Sequence, residues 1–158
     1  MTGSHPLVRA LLAFVSAGHA SLGLLALLSG NGGTRIGARI YGARFEPTAQ
    51  FQYALRPLGA FMLGLAYLQY LAFRDPWRYR GAIDATLLVF ALRTYQRIAF
   101  RRQIATLFGI APDRHRRTTL SLQALGALLL VARLRLRPPA SQDGVRLATA
   151  TQGESVTS

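Results

Sequence analysis

The chain has no cysteine and no lysine, and only six acidic residues and one tryptophan in 158 positions. Without cysteine there is no disulfide frame, no thiolate nucleophile, no Cys-ligated metal or iron–sulfur centre and no palmitoylation site. All 19 basic residues are arginine, so the net charge is +13 and the sequence pI is near 11.7. Charged residues of both signs make up only 16% of the chain, against roughly a quarter in ordinary soluble domains. Hydrophobic residues make up 51%, and the mean hydropathy is +0.23. Little charge, nearly all of one sign, in a long apolar chain is the composition of a membrane protein.

The catalytic signatures are equally thin. There is no H-E-x-x-H, no G-x-S-x-G, no Walker loop and no pair of carboxylates at site spacing, so nothing nominates an enzyme. Gly30, Gly32 and Gly33 close an apolar run rather than follow a strand, which makes a turn and not a phosphate cradle. In a soluble protein the basic excess would point to nucleic acid. Here the arginines stand at the ends of apolar runs or between them, where the negative potential of a lipid leaflet holds them. No basic-aromatic strand motif or zinc spacing accompanies them. The expected charge partners are anionic membrane lipids, not nucleic acid.

Four runs read as membrane spans, at about 7–28, 57–73, 81–100 and 118–136, since about 20 apolar residues cross a bilayer core of roughly 30 Å. The first is longer than a signal-peptide core and lacks an A-x-A site, so it reads as a span rather than a cleaved leader. Between the first two, Ile36, Ile40 and Ala43 recur at i, i+4 and i+7 beside Arg35 and Arg39, the pattern of a short interfacial helix that Glu46-Pro47 stops. From Thr48 the chain can restart as a helix, with Phe51 and Tyr53 near headgroup depth, and Pro57 is either a kink or a helix start. In the turn 74–80, Asp75 is placed to cap the next helix, with Pro76 at its first position and Trp77 and Tyr79 as interfacial anchors. The basic stretch 101–119 reads as a connection with a turn at Pro112-Asp113, and 138–158 as a polar tail, disordered or ordered by a partner. The expected fold is therefore an all-α, polytopic membrane protein: a four-transmembrane-helix bundle over 1–137 with a short interfacial helix between spans 1 and 2. The connections after spans 1 and 3, with Arg93 and Arg97, carry 11 arginines against 8 elsewhere. This favours termini outside the cytoplasm by the positive-inside rule, although discounting Arg93 and Arg97 leaves 9 against 8.

Small residues every fourth position, Ala13, Ala17 and Ser21 in span 1 and Ala60 and Gly64 in span 2, mark ridges for close helix packing. Ionisable groups inside span 3 are the functional candidates. Asp84 is expected to pair with a flanking arginine such as Arg80, while Arg93 and Arg97 either snorkel to the basic side or, with Tyr95 and Gln96, hold an anionic lipid headgroup, a quinone-like ligand or a neighbour's carboxylate. Arg101 and Arg102 extend that contact surface. His19 lies mid-span between Gly18 and Ala20, where it can bond across helices or ligate a haem or chlorophyll-type pigment. His5 and His115 lie in polar segments and read as solvated. No metal site is expected.

The run Arg56-Pro-Leu-Gly-Ala-Phe-Met-Leu-Gly-Leu, then Arg74-Asp-Pro-Trp-Arg-Tyr-Arg and Arg93-Thr-Tyr-Gln-Arg97, resembles the small four-helix bacterial membrane proteins of the BphX-like and DoxX-like type. The layout is similar over about Leu7 to Leu134, and the motifs cover about 45 residues. The resemblance implies a compact four-helix bundle and not an activity, and the Arg-rich stretch 101–117 and the polar tail depart from it. Together these features lead to a non-catalytic accessory or structural subunit of a larger membrane complex, such as a respiratory or photosynthetic assembly, or a homo-oligomer. The alternative is a small ligand-binding or redox-coupled membrane protein for quinone, lipid or pigment, with Asp84, Arg93 and Gln96 in its pocket.

Overall fold

The computed structural model describes residues 6–28, 30–46 and 48–136. The described residues form six helices and no strand: α1 (Pro6–Leu28), α2 (Gly30–Tyr41), α3 (Ala49–Arg74), α4 (Arg80–Ala99), α5 (Arg101–Phe108) and α6 (Pro112–Leu134). The expected tail, 138–158, and His5 lie outside the described residues. The four long helices have 20 to 26 residues, enough at 1.5 Å per residue for about 30 Å. Length is not apolarity, however. Among the described residues only α1 is both long and apolar enough to cross a membrane on its own. Arg56 and Arg74 in α3, Asp84, Arg93 and Arg97 in α4, and the basic first turns of α6 keep the others too polar by that criterion.

Several boundaries differ from the sequence expectation. The short helix α2 ends at Tyr41, not at Glu46-Pro47, because Gly42 takes a left-handed conformation with φ +72°. The Ala43 N–H then donates to the Ala38 carbonyl at 2.8 Å and the Gly42 N–H to that of Arg39 at 3.1 Å, the paired bonds of a Schellman stop. Arg114 completes the stop by donating to the carbonyls of Arg39 and Ile40, each at 3.0 Å. Its side chain occupies the space that a β-carbon on residue 42 would need. Gly42→Ala should therefore cost about 1–2 kcal/mol in backbone strain alone, and by displacing Arg114 it should free the end of α2. Faster amide hydrogen exchange confined to 38–43 checks this.

Helix α3 starts at Ala49, as a restart from Thr48 allows and ahead of the span at 57–73, because the Thr48 hydroxyl accepts the Phe51 N–H at 3.2 Å. Pro57 thus sits inside the helix. Asp75 does not cap α4. It ends α3, and its carboxylate accepts the Arg78 N–H at 3.0 Å within the hairpin turn. The stretch 101–119 is not a loop: it folds into α5 and the first two turns of α6, with Pro112 in the first helical turn, where its missing N–H has no consequence.

The long helices close a ring in which α1 packs along α3, α3 against α4, α4 along α6, and α6 against α1. Neighbours run antiparallel, as Arg9 to Arg74 and Ser16 to Ala66 show for α1 and α3, and Asp84 to Arg133 and Arg97 to Thr119 for α4 and α6. The closest crossing is at Gly23 and Gly59. A β-carbon on Gly59 would stand 2.7 Å from the Gly23 carbonyl oxygen and 2.8 Å from the Leu27 nitrogen. The ridges Ala13, Ala17, Ser21 and Ala60, Gly64 are not used for this contact and lie on exposed outer faces. The reason is register: the inner face of α1 runs through Leu12, Val15, His19 and Gly23, and that of α3 through Gly59, Ala66 and Gln69.

One end of the bundle holds the α3–α4 hairpin, and the other holds α2, α5 and eleven arginines. The main apolar cluster lies in the hairpin half: Val8, Leu12, Val15, Ala72, Ile83, Phe90, Leu129, Ala132 and Leu136, with Ile110 buried separately at the other end. There Trp77 packs on the core with Arg80 stacked over it at 4.8 Å. In the basic half the buried positions include Gly23, Thr34, Gly59, His115 and Thr119. The outer faces are the reverse of a soluble protein's, with Phe14, Leu28, Phe61, Leu92, Leu107 and Leu134 among many exposed large apolar side chains.

Candidate functional site

At mid-height a chain of polar side chains joins three helices. The His19 Nδ1 faces two acceptors, the Val15 carbonyl and the Gln69 Oε1, both at 3.1 Å, so this nitrogen carries the proton. The Gln69 amide then donates to the Thr86 hydroxyl at 3.1 Å, and Thr86 donates to the Ala82 carbonyl at 2.8 Å. Gln69 and Thr86 are fully buried. The His19 ring stacks along Phe90 at 6.3 Å. His19 therefore acts as an interhelical hydrogen-bonding residue through Nδ1, with one ring face along Phe90.

Towards the basic end, positions 86, 90, 93 and 97 of α4 follow one inner stripe, as helical spacing requires. Arg93 donates to the Tyr41 hydroxyl of α2 at 3.1 Å. Arg97 donates to the hydroxyls of Thr119, at 2.9 Å, and Thr118, and to the His115 carbonyl at 3.4 Å. The Arg93 and Arg97 guanidinium charges repel each other, and all the acceptors they meet are neutral. Among the described residues Asp84–Arg133 is the single ion pair, with both guanidinium contacts made, at 2.8 and 3.0 Å. Asp84 thus pairs across to α6 rather than with Arg80 on its own helix, and it sits near the hairpin end, far from Arg93. Gln96 and Tyr95 point outward from α4, and Arg101 and Arg102 are exposed on α5. Of the residues expected to share one ligand contact, Arg93 and Arg97 lie together on the inner stripe of α4 with Tyr41, Thr118 and Thr119 as partners, whereas Asp84, Tyr95 and Gln96 lie elsewhere.

His115 was expected in solvent but is buried, 5% exposed, because α6 starts at Pro112 and turns the ring inward. Its Nε2–H donates to the Arg97 carbonyl at 3.0 Å, which leaves Nδ1 a buried acceptor with no donor. Burial holds this imidazole below its ordinary value, with the charges of Arg97 and Arg101 acting the same way and the bond to the Arg97 carbonyl opposing them. The unfolded chain then binds a proton more readily than the folded one. His115 leaves stability intact above about pH 6.5 and subtracts from it as pH falls from there towards the folded value. His115→Gln should flatten that acid-side loss, read as a smaller difference in thermal midpoint between pH 7 and 5.5 than in the unmodified protein.

A second feature joins the two short helices to the bundle. The Arg44 N–H donates to the Phe108 carbonyl at 2.7 Å, and Phe45, Phe51 and Phe108 stack edge to face at 4.9 and 5.2 Å. Gly109, with φ +59°, ends α5 against the Arg44 backbone. Between the end of α2 and the start of α6 lies a groove of about 480 Å³ lined by Arg39, Arg44 and Arg114 and by the backbone at Gly42, Gly109 and Ala111. Sequence reasoning missed this groove, because Arg114 comes from a segment 70 residues beyond Arg44; the Gly42 and Gly109 turns were the signal available. Compared with known families, curated proteins and solved structures, the chain matches none.

Proposed function

We propose that the chain is a multi-pass helical bundle of the bacterial inner membrane that serves as a non-catalytic accessory subunit of a larger membrane complex. The observation that carries this is the distribution of apolar surface: Phe14, Phe61, Leu92, Leu128 and their neighbours on all four long helices face outward, while His19, Gln69, Thr86 and Arg97 face inward. In lipid such faces need no cover, and the polar groups are satisfied inside the bundle. On this reading α3, α4 and α6 cross with α1, while α2 and α5 lie at the interface. Arg93 and Arg97 are half-buried on the inner stripe of α4, Asp84 is paired with Arg133, and Arg56, Arg74 and the basic first turns of α6 stand near the ends of the spans. The ridges Ala13, Ala17, Ser21 and Ala60, Gly64 face outward on two adjacent helices, where small side chains admit a partner helix. The layout also accords with the resemblance to BphX-like and DoxX-like proteins, and the arginine excess at the α2–α5 end favours that end in the cytoplasm.

The test is extraction of the tagged protein from its native membrane in mild detergent, followed by mass spectrometry and sizing. Stoichiometric larger membrane subunits are expected. A monodisperse lone chain would overturn the accessory role, and a pure oligomer of this chain would replace it by self-assembly. A second reading, binding of a small anionic or quinone-like ligand, is favoured by Arg93 and Arg97, which meet neutral acceptors and no carboxylate among the described residues. A copurifying ligand that Arg93→Ala loses, with assembly unchanged, would select it.

A further inference from the structure

We infer that the groove between the end of α2 and the start of α6 is a specific site for the phosphate headgroup of one anionic phospholipid. The inference rests on the membrane reading above. Three arginines, Arg39 in the last turn of α2, Arg44 just beyond it and Arg114 in the first turn of α6, converge on the groove. Arg114 is committed to the α2 carbonyls, whereas the exposed guanidiniums of Arg39 and Arg44 have no partner among the described residues. The groove also meets the start of α6, whose N-cap Ala111 supplies no side-chain acceptor. Among the described residues the N–H groups of Asp113 and Arg114 meet no acceptor there, where a helix N-terminus favours an anion. The carboxylates closest in sequence, Glu46 and Asp113, do not line the groove and pair with none of these arginines.

The surroundings distinguish a lipid from a free phosphate. Ile36 and Ile40 on α2 and Leu107 on α5 are 48%, 51% and 68% exposed at the same end of the bundle. An occupant with acyl chains covers such side chains, and inorganic phosphate does not. Planar guanidinium forks match phosphate oxygens in pairs, and a partly enclosed groove at the interface gives them an advantage over arginines scattered on the surface.

The experiment uses the purified full chain in a neutral detergent, titrated with phosphatidylglycerol, phosphatidylcholine or inorganic phosphate and read by native mass spectrometry and thermal midpoint. One phosphatidylglycerol should be retained per chain, with affinity about tenfold or more above phosphatidylcholine. Arg39→Gln with Arg44→Gln should remove that preference without altering the lipid-free midpoint. Arg116→Gln with Arg117→Gln, exposed at the same end but outside the groove, should preserve it. Equal affinity for the two lipids, or equal weakening by both double variants, would overturn the site in favour of diffuse attraction. Inorganic phosphate binding as tightly as phosphatidylglycerol would overturn the lipid assignment. A chain that stays monodisperse without detergent would instead overturn the membrane reading itself, a result separable from any lipid preference.

Discussion

A Gly59→Val variant is expected to be the least stable single substitution in the bundle, losing about 3 kcal/mol or more and shifting the unfolding midpoint in detergent by several degrees. Even the first carbon added at this position stands 2.7 Å from the Gly23 carbonyl oxygen and 2.8 Å from the Leu27 nitrogen. Both are backbone atoms, so no rotamer change relieves the contact and the two helices must part. The α1–α3 pair is the most extensive helix contact in the chain, and separating it also stretches the bonds from Ser16 to Ala66 and from His19 to Gln69. Gly64→Val, five residues on, should cost little, because nothing lies within 4 Å of a β-carbon there. Trp77, the only tryptophan, packs against the core and reports the transition by fluorescence. Comparable midpoints for the two variants would show that the Gly23–Gly59 crossing is not what holds α1 to α3.

Removing Gln69 is expected to cost more than removing the whole polar chain to which it belongs. In Gln69→Leu, the Thr86 hydroxyl loses its donor and His19 loses one of its two acceptors, all at buried positions. A buried polar group left without its partner costs about 1–3 kcal/mol. The triple variant His19→Phe, Gln69→Leu, Thr86→Val replaces every member with an apolar group of similar shape, and such replacement is close to neutral. The triple variant should therefore unfold at a higher temperature than Gln69→Leu alone. The reverse order would mean that the three residues contribute by packing and not as a hydrogen-bonded unit.

The residues show where sequence reasoning reached and where it stopped. The hydrophobic runs located the four long helices, because long, mostly apolar stretches bounded by arginines leave few alternatives to a helix. The ridge Ala13, Ala17, Ser21 was legible as a pattern but not as a face: a four-residue period fits several stripes of one helix, and Gly23 and Gly59 decide which stripe turns inward. Asp84 had an arginine at i−4, yet its partner is Arg133, 49 residues away. Local spacing cannot see a helix that returns antiparallel. His115 looked solvated among arginines because the extension of α6 back to Pro112 is set by the turn at Gly109 and not by an apolar period.

By itself the sequence determined the class of the molecule: all-helical, poor in charge, rich in arginine at the helix ends and without cysteine chemistry. Those properties follow from composition and period, which every local segment carries. Only the tertiary structure decided that the main apolar cluster occupies the hairpin half, that Arg93 and Arg97 meet neutral acceptors, and that Arg39, Arg44 and Arg114 share one groove. Each of these is a relation between residues far apart in the chain. It is fixed by the close approach of two helices at paired glycines and by left-handed turns at Gly42 and Gly109, where a single backbone angle redirects everything that follows.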